Sequence, residues 1–169
     1  MKTLFLLRHA KAENAVAGST DLDRGLNERG QHEAQAIGAF IKRQNLRFDW
    51  VLCSPAVRAR ETAELALAAA EVVANVRYDQ RIYDASPRQL LVVISELSEN
   101  MNAVLLVGHN PGIEELLKML TGRAEQMATC TLAKINLAPG EWSEISEDMG
   151  TLDSIARPKE LGDVNGVDG

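Results

Sequence analysis

Apolar runs of strand length alternate with stretches whose apolar residues recur at helical spacing. The runs at 3–7 and 103–107 are almost wholly apolar, and those at 48–53 and 76–83 are less so. A stretch of helical length follows each run, and the last of these repeats apolar residues at Ile113, Leu116, Leu117 and Leu120. Strands that alternate with helical crossovers predict an α/β fold with a mainly parallel sheet covered on both faces.

Helix-start signals mark the crossovers. Asn27 is expected to cap the first helix, and Ser54-Pro55 to begin the second, which should run to about residue 74. Ser86-Pro87 is expected to begin a third, short helix, and Asn110-Pro111 a fourth. These signals fix where each strand ends.

The last quarter of the chain predicts two more strands. They span 129–137 and 141–146, joined at Ala138-Pro139-Gly140, a turn signal. Beyond Gly150 the pattern is mixed, and about 160–169 is expected to be a frayed tail. No repeat, linker or domain boundary stands out, so residues 1–169 are expected to form a single domain.

Composition and charge exclude several classes of protein. Eighteen basic and 24 acidic residues give a net charge of −6, which disfavours a general nucleic-acid binder or a protein of anionic membranes. No signal peptide and no apolar run approaching about 18 residues is evident. Cys53 and Cys130 lie in apolar runs without metal-ligand spacing and are expected to be buried free thiols. The sequence predicts a cytoplasmic protein.

Charged and imidazole side chains follow three of the predicted strands directly. Arg8 and His9 end the first strand, Arg58 lies in the first turn of the second helix, and His109 follows the strand at 103–107. Each alone is readily explained as a helix charge or a residue in a tight turn. Because the carboxyl ends of parallel strands share one edge of a sheet, one crevice can gather all four.

Two arginines and two histidines suit phosphoryl chemistry. Guanidinium groups donate bidentate hydrogen bonds to phosphate oxygens. A neutral imidazole can attack phosphorus and form a phosphohistidine intermediate that water hydrolyses. This chemistry requires no metal or cofactor, and the carboxylates form no recognisable metal motif.

Three segments of the chain resemble signatures of the histidine phosphatase superfamily. They are Leu7-Arg8-His9-Ala10, Ser54-Pro55-Ala56-Val57-Arg58-Ala59-Arg60-Glu61-Thr62 and Val107-Gly108-His109-Asn110-Pro111. The resemblance covers about 1–160. Ala10-Lys11, Tyr83-Asp84-Ala85, the Gly108-Pro111 segment and the short chain are similar to SixA-type phosphohistidine phosphatases.

The resemblance implies a fold, a mechanism and a substrate. It implies a three-layer α/β/α sandwich of the phosphoglycerate mutase type, with one antiparallel strand. It also implies that His9 is the nucleophile and that Arg8, Arg58 and His109 bind phosphate. The expected substrate is a histidine-phosphorylated protein, and the chain is expected to be a monomer.

Substrate size and the general acid are less directly indicated. Larger relatives insert a lid after the third strand, whereas here only one short helix, about 87–98, fits, so an open site is expected. Asp84 is the nearest candidate acid, with Asp21 and Asp23 as others, and turn or capping chemistry explains all three as well. Arg24 is expected to form a salt bridge within its loop. An imidazole leaving group departs already protonated on its ring, so a phosphohistidine substrate demands little of an acid.

Three alternative functions fit the sequence less well. A cysteine phosphatase needs five residues between cysteine and arginine, and four separate Cys53 from Arg58, so Cys53→Ser is expected to leave most activity. A small-metabolite phosphomonoesterase or mutase of the same superfamily is disfavoured by the missing lid. A catalytically inactive phosphate-binding module would not need the nucleophile.

Overall fold

The computed structural model describes residues 1–161, which form a mixed six-stranded sheet and four α-helices. The strands are β1 (Thr3–Arg8), β2 (Trp50–Cys53), β3 (Val76–Tyr78), β4 (Ala103–Gly108), β5 (Leu132–Leu137) and β6 (Gly150–Ala156). The helices are α1 (Glu28–Arg43), α2 (Val57–Ala70), α3 (Pro87–Ser95) and α4 (Gly112–Thr121). Short 3₁₀ helices lie at Asp21–Asp23, Gln80–Ile82, Trp142–Glu144 and Pro158–Glu160.

The strand order is β3-β2-β4-β1-β5-β6. β2 pairs in parallel with β3 and β4, and β4 in parallel with β1. β5 is antiparallel to both of its neighbours, so it alone among the six runs against the others. The predicted mainly parallel sheet with one antiparallel strand is therefore confirmed.

Helices cover both faces of the sheet. Alternate residues of β1 point to opposite faces: Phe5 and Leu7 pack with α1 and α2, and Leu4 and Leu6 with α3 and α4. All four are nearly or fully buried, and full burial of such a side chain contributes about 2 kcal/mol relative to its exposure. Two apolar clusters thus hold one sheet between two helical layers, as predicted.

Two of the predicted helix starts are seen in full. Asn27 accepts the Gly30 N–H at 2.8 Å and caps α1. Ser86 and Gln89 form a reciprocal capping box at α3, with Pro87 in its first turn. None of the helices in residues 1–161 has the length and apolar character needed to cross a bilayer.

The strand predicted at 141–146 is wrong. This segment forms the 3₁₀ helix at Trp142–Glu144, and the last strand is β6. Trp142 supplied the apolar signal, but its ring packs in the core and its Nε1 donates to Met101 O at 2.7 Å. β6 is an edge strand with mostly exposed or half-buried residues, so its pattern is weak.

Other boundaries differ from the predictions by a few residues. β3 ends at Tyr78, because a 3₁₀ turn begins two residues later. α2 begins at Val57 rather than Pro55 and ends at Ala70, where Glu71 adopts a left-handed conformation. The frayed tail was predicted for about 160–169, and all of it beyond Leu161 lies outside the described residues.

Candidate active site

The carboxyl ends of the central strands bring the predicted side chains together. Arg8 pairs with Gly108 across the sheet, and the His9 N–H donates to Gly108 O at 3.0 Å. α2 begins four residues after β2 and carries Arg58 in its first turn. The resulting cleft has a volume of about 330 Å³ and is lined by all four predicted residues, Arg8, His9, Arg58 and His109.

His9 is oriented by its own chain neighbour. Its Nδ1 lies 2.7 Å from Ala10 O, so Nδ1 carries the proton and Nε2 keeps its lone pair. Burial, with a smaller contribution from the guanidinium groups of Arg58, Arg8 and Arg24, lowers the pKa of His9 to about 4, although the bond to Ala10 opposes the shift. At neutral pH the ring is therefore an uncharged imidazole with one nitrogen able to attack.

Arg58 is held by Asp21 from the first loop. Its guanidinium, only 6% exposed, donates from Nη1 to Asp21 O at 2.7 Å and from Nη2 to Asp21 Oδ2 at 2.9 Å. Asp21 also accepts hydrogen bonds from Arg24 and from the Tyr83 hydroxyl. Tyr83, then Arg24 and Arg58, hold the pKa of Asp21 well below its usual range, so this carboxylate is ionised at neutral pH.

Arg8 and Arg58 both have N–H groups that make no hydrogen bond within the described residues. In Arg8 and in Arg58 the Nε atom is buried and has no partner among the described residues. Arg8 donates from Nη1 to Met127 O at 3.1 Å, and burial lowers its pKa while Glu114 and Glu33 oppose that change. Because both guanidinium groups line the cleft and keep N–H groups without a partner, their positive charge favours an anion there.

His109 lies beside His9, with ring centroids 5.1 Å apart. Its Nε2 is 2.7 Å from Ser54 Oγ, and that oxygen accepts the Ala56 N–H. Burial first, then the neighbouring His9 and Arg58, lowers the pKa of His109 to about 3, so it too is neutral. If the Ser54 hydroxyl donates to Nε2, Nδ1 carries the proton and can donate it to a phosphate oxygen.

The candidate acids occupy different positions. Asp84 lines the cleft as an exposed residue with a left-handed backbone conformation. Asp21 lines it too, but an ionised carboxylate has no proton to give. Asp23 accepts the Thr20 hydroxyl at 2.9 Å on the exposed loop. Arg24 pairs with Asp21 at 2.7 Å, which confirms its predicted salt bridge.

Two residues that support the site were not assigned a role from the sequence. The buried Thr62 hydroxyl accepts the Ala10 N–H at 2.9 Å and donates to Arg58 O at 2.7 Å, so it joins α2 to the end of β1. Glu33, 8% exposed, accepts the Lys11 N–H and the Thr129 hydroxyl. The sequence signal was available for Thr62, which lies four residues after Arg58 on one helix.

Neither cysteine is suited to nucleophilic chemistry. Both thiols are free and buried, as predicted. Burial raises the pKa of Cys53 to about 12 and that of Cys130 well above its ordinary value. Among residues 1–161, no three His, Cys, Asp or Glu side chains cluster in a way that could hold a metal ion.

Comparison with known proteins identifies the family. The model of the histidine phosphatase superfamily (branch 1) matches residues 4–87. An uncharacterised protein of Mycobacterium tuberculosis is 31% identical over 164 residues, 90% of this chain and 100% of its own. The chain belongs to the histidine phosphatase superfamily.

Solved structures give a similar result. A candidate phosphohistidine phosphatase SixA from Agrobacterium tumefaciens is 30% identical with a TM-score of 0.80, over 93% of this chain and 98% of its own. A second candidate SixA, from Nakamurella multipartitia, is 28% identical with a TM-score of 0.82. The match covers 93% of this chain and 96% of that protein. Family and neighbours indicate a SixA-like phosphatase.

Proposed function

We propose that the protein removes phosphate from phosphohistidine on another protein, with His9 as nucleophile. The proposal rests mainly on the state of His9. Its Nδ1 donates to Ala10 O, and the neutral ring keeps a lone pair on Nε2 in a cleft that two guanidinium groups line. This arrangement suits attack on a dianionic phosphoryl group.

The reaction has two steps. His9 Nε2 attacks phosphorus in line, a P–N bond to His9 forms, and the substrate's P–N bond breaks with its electron pair on the leaving imidazole. Water then attacks phosphorus, the electron pair of the enzyme's P–N bond returns to Nε2, and phosphate leaves with the proton balance taken by phosphate or solvent. Arg8, Arg58 and His109 bind the phosphoryl oxygens in both steps.

Two features favour phosphohistidine over a phosphate ester. Two carboxylates line the cleft. Asp21 is ionised and has no proton to donate, and the role of Asp84 as the general acid stays a prediction. An imidazole protonated on its second nitrogen leaves as a neutral ring and needs no proton from the protein. The neighbours of Agrobacterium and Nakamurella, whose names give the same activity, support this choice of substrate.

The test compares three substrates. Wild type is assayed with a carrier protein phosphorylated on histidine, with a phosphoserine peptide and with 3-phosphoglycerate. We expect the carrier to be turned over at least tenfold faster than either ester, with phosphate trapped on wild type but not on His9→Ala. His32→Ala is the matched control, because His32 is exposed on α1 and does not line the cleft.

Each other result selects an alternative. Faster turnover of 3-phosphoglycerate would replace the proposal with a small-metabolite phosphatase or mutase. Binding of phosphate without turnover of any substrate would indicate an inactive phosphate-binding module. Equal loss of turnover in His32→Ala and His9→Ala would contradict the role of His9.

A further inference from the structure

Asp21 joins three separate parts of the site. Its carboxylate accepts hydrogen bonds from Arg24 on the same loop, from Arg58 on α2 and from Tyr83 after β3. Its main-chain oxygen accepts a second bond from Arg58, at 2.7 Å. The position is at the mouth of the cleft, where the Asp21 side chain is 48% exposed.

Asp21 accepts one hydrogen bond from each of the two Nη atoms of Arg58. A guanidinium has five N–H donors, and Asp21 accepts from Nη1 and Nη2. The Nε donor is buried and unpartnered. Three of the five N–H donors therefore remain on a guanidinium that lines the cleft, so Asp21 can stay in place when a phosphate oxygen binds.

We infer that Asp21 is a positioning residue that sets the orientation of the Arg58 guanidinium for the phosphoryl group. The inference rests on the proposed function for the role of Arg58 as a phosphate ligand. Orientation matters because displacing a binding group by about 1 Å can cost about a hundredfold in rate. A long side chain fixed at one end by a carboxylate loses less freedom when the ligand arrives.

Tyr83 completes the support. Its hydroxyl donates to the same Asp21 oxygen that receives Arg58 Nη2, and its ring centroid lies 6.0 Å from the Arg58 Cζ. The ring also meets His109 edge-on at 5.5 Å. Tyr83 is therefore expected to act through Asp21, and Tyr83→Phe should lose part of what removal of the carboxylate loses.

The experiment measures turnover and oxyanion affinity in four proteins. Wild type, Asp21→Ala, Asp21→Asn and Asp23→Ala are assayed with phosphoramidate, and the Kd for orthovanadate is measured for each. Asp23 is the matched control: it lies in the same 3₁₀ helix and carries the same charge, and its carboxylate binds Thr20 instead of Arg58. Thermal unfolding of each variant shows whether the fold is intact.

We expect Asp21→Ala to lower kcat about tenfold to a hundredfold, with a smaller change in KM, and to weaken vanadate binding at least tenfold. Asp21→Asn keeps an acceptor oxygen for Arg58 Nη2 and should recover to within about threefold of wild type. The kcat and the vanadate Kd of Asp23→Ala should stay within about twofold of wild type, because this substitution changes the charge and leaves the contact between Asp21 and Arg58 intact.

Four results would overturn the inference. Tighter vanadate binding in Asp21→Ala would make Asp21 a competitor for the anion. An equal loss of kcat in Asp23→Ala would show that the effect comes from net charge alone. A lower unfolding temperature of Asp21→Ala with unchanged kcat would show that Asp21 has only a structural role. Absence of vanadate binding by wild type would remove the anion site itself. Vanadate binding without turnover would contradict the proposed function alone, and the affinities would still test Asp21.

Discussion

At the scale of single residues, the sequence placed the candidate site residues but not the remote partners that hold them. Arg8 ends β1, and His9 and His109 come directly after strands, so local pattern was enough to place them at one edge of the sheet. The hydrogen-bond partners of Arg8 and His109 are remote in the chain: Arg8 donates to Met127 O, and Ser54 lies 55 positions before His109. Only the strand order brings such pairs together, so no local pattern could reveal them.

The buried, neutral state of His9 predicts a pH dependence of stability. Its pKa is about 4 in the folded protein against 6.5 in an unfolded chain. Below pH 6.5 the unfolded chain takes up a proton that the folded protein does not, so the free energy of unfolding falls between about pH 6.5 and 4. This residue accounts for about 3 kcal/mol of the fall, at about 1.4 kcal/mol per pKa unit.

Urea unfolding across this pH range checks the prediction. His9→Ala should reduce the decline and leave the part that His109 causes, whereas His32→Ala, which removes an exposed histidine, should leave it as in wild type. An NMR titration of the His9 ring should show a midpoint near pH 4. A midpoint near pH 6.5 would contradict the assigned environment.

At the scale of elements, the buried apolar strands and the capped helices were predictable from the sequence, and the edge strands of the sheet were not. β1 and β4 are buried on both faces and gave continuous apolar runs. β3 is three residues long and β6 is mostly exposed, so neither carries a clear pattern. The start of α2 was misplaced because Ser54 uses its hydroxyl on Ala56 N–H and His109 rather than as a helix cap.

The packing of α1 on α2 gives a prediction at this scale. A Cβ on Gly38 would lie 2.4 Å from Ala66 O and 2.6 Å from the Ala69 Cβ, closer than packed atoms allow. Alanine would otherwise improve an α-helix by about 1 kcal/mol, so the clash decides the sign. We expect Gly38→Ala to destabilise the protein by about 2 kcal/mol and to lower turnover by displacing α2, which carries Arg58.

Urea unfolding and phosphoramidate hydrolysis measure the two effects. Gln35→Ala, at an exposed position of the same helix, is the control and should change stability by less than about 0.5 kcal/mol. A stabilised Gly38→Ala would show that the two helices can separate without cost.

At the scale of the whole molecule, a cationic cleft is set in an acidic protein. Arg8, Lys11, Arg24 and Arg58 line the cleft, while the chain carries a net charge of −6. Exposed Glu13, Asp23 and Asp84 lie in the segments around the mouth. Phosphate is therefore attracted locally, and the remainder of an acidic substrate protein is repelled.

This charge pattern predicts a substrate preference that depends on salt. The test uses two phosphohistidine peptides that differ only in the residues that flank the phosphohistidine. At low ionic strength, the peptide flanked by lysine should have a higher kcat/KM than the peptide flanked by glutamate. The difference should shrink at 0.5 M salt, because screening acts over about 10 Å or less. A preference for the glutamate-flanked peptide, or one that salt leaves unchanged, would contradict the role of long-range charge.

The place of β4 in the sheet has a consequence for biosynthesis. Arg8, His9 and Arg58 all precede β4 in the chain, yet β1 and β2 are not paired in the sheet, because β4 lies between them. Until residues 103–108 have left the ribosome, β1 and β2 have no common neighbour in the sheet. The candidate active site therefore assembles only after β4 is synthesised, and a nascent chain stopped before β4 holds three of the four predicted site residues without the cleft that gathers them.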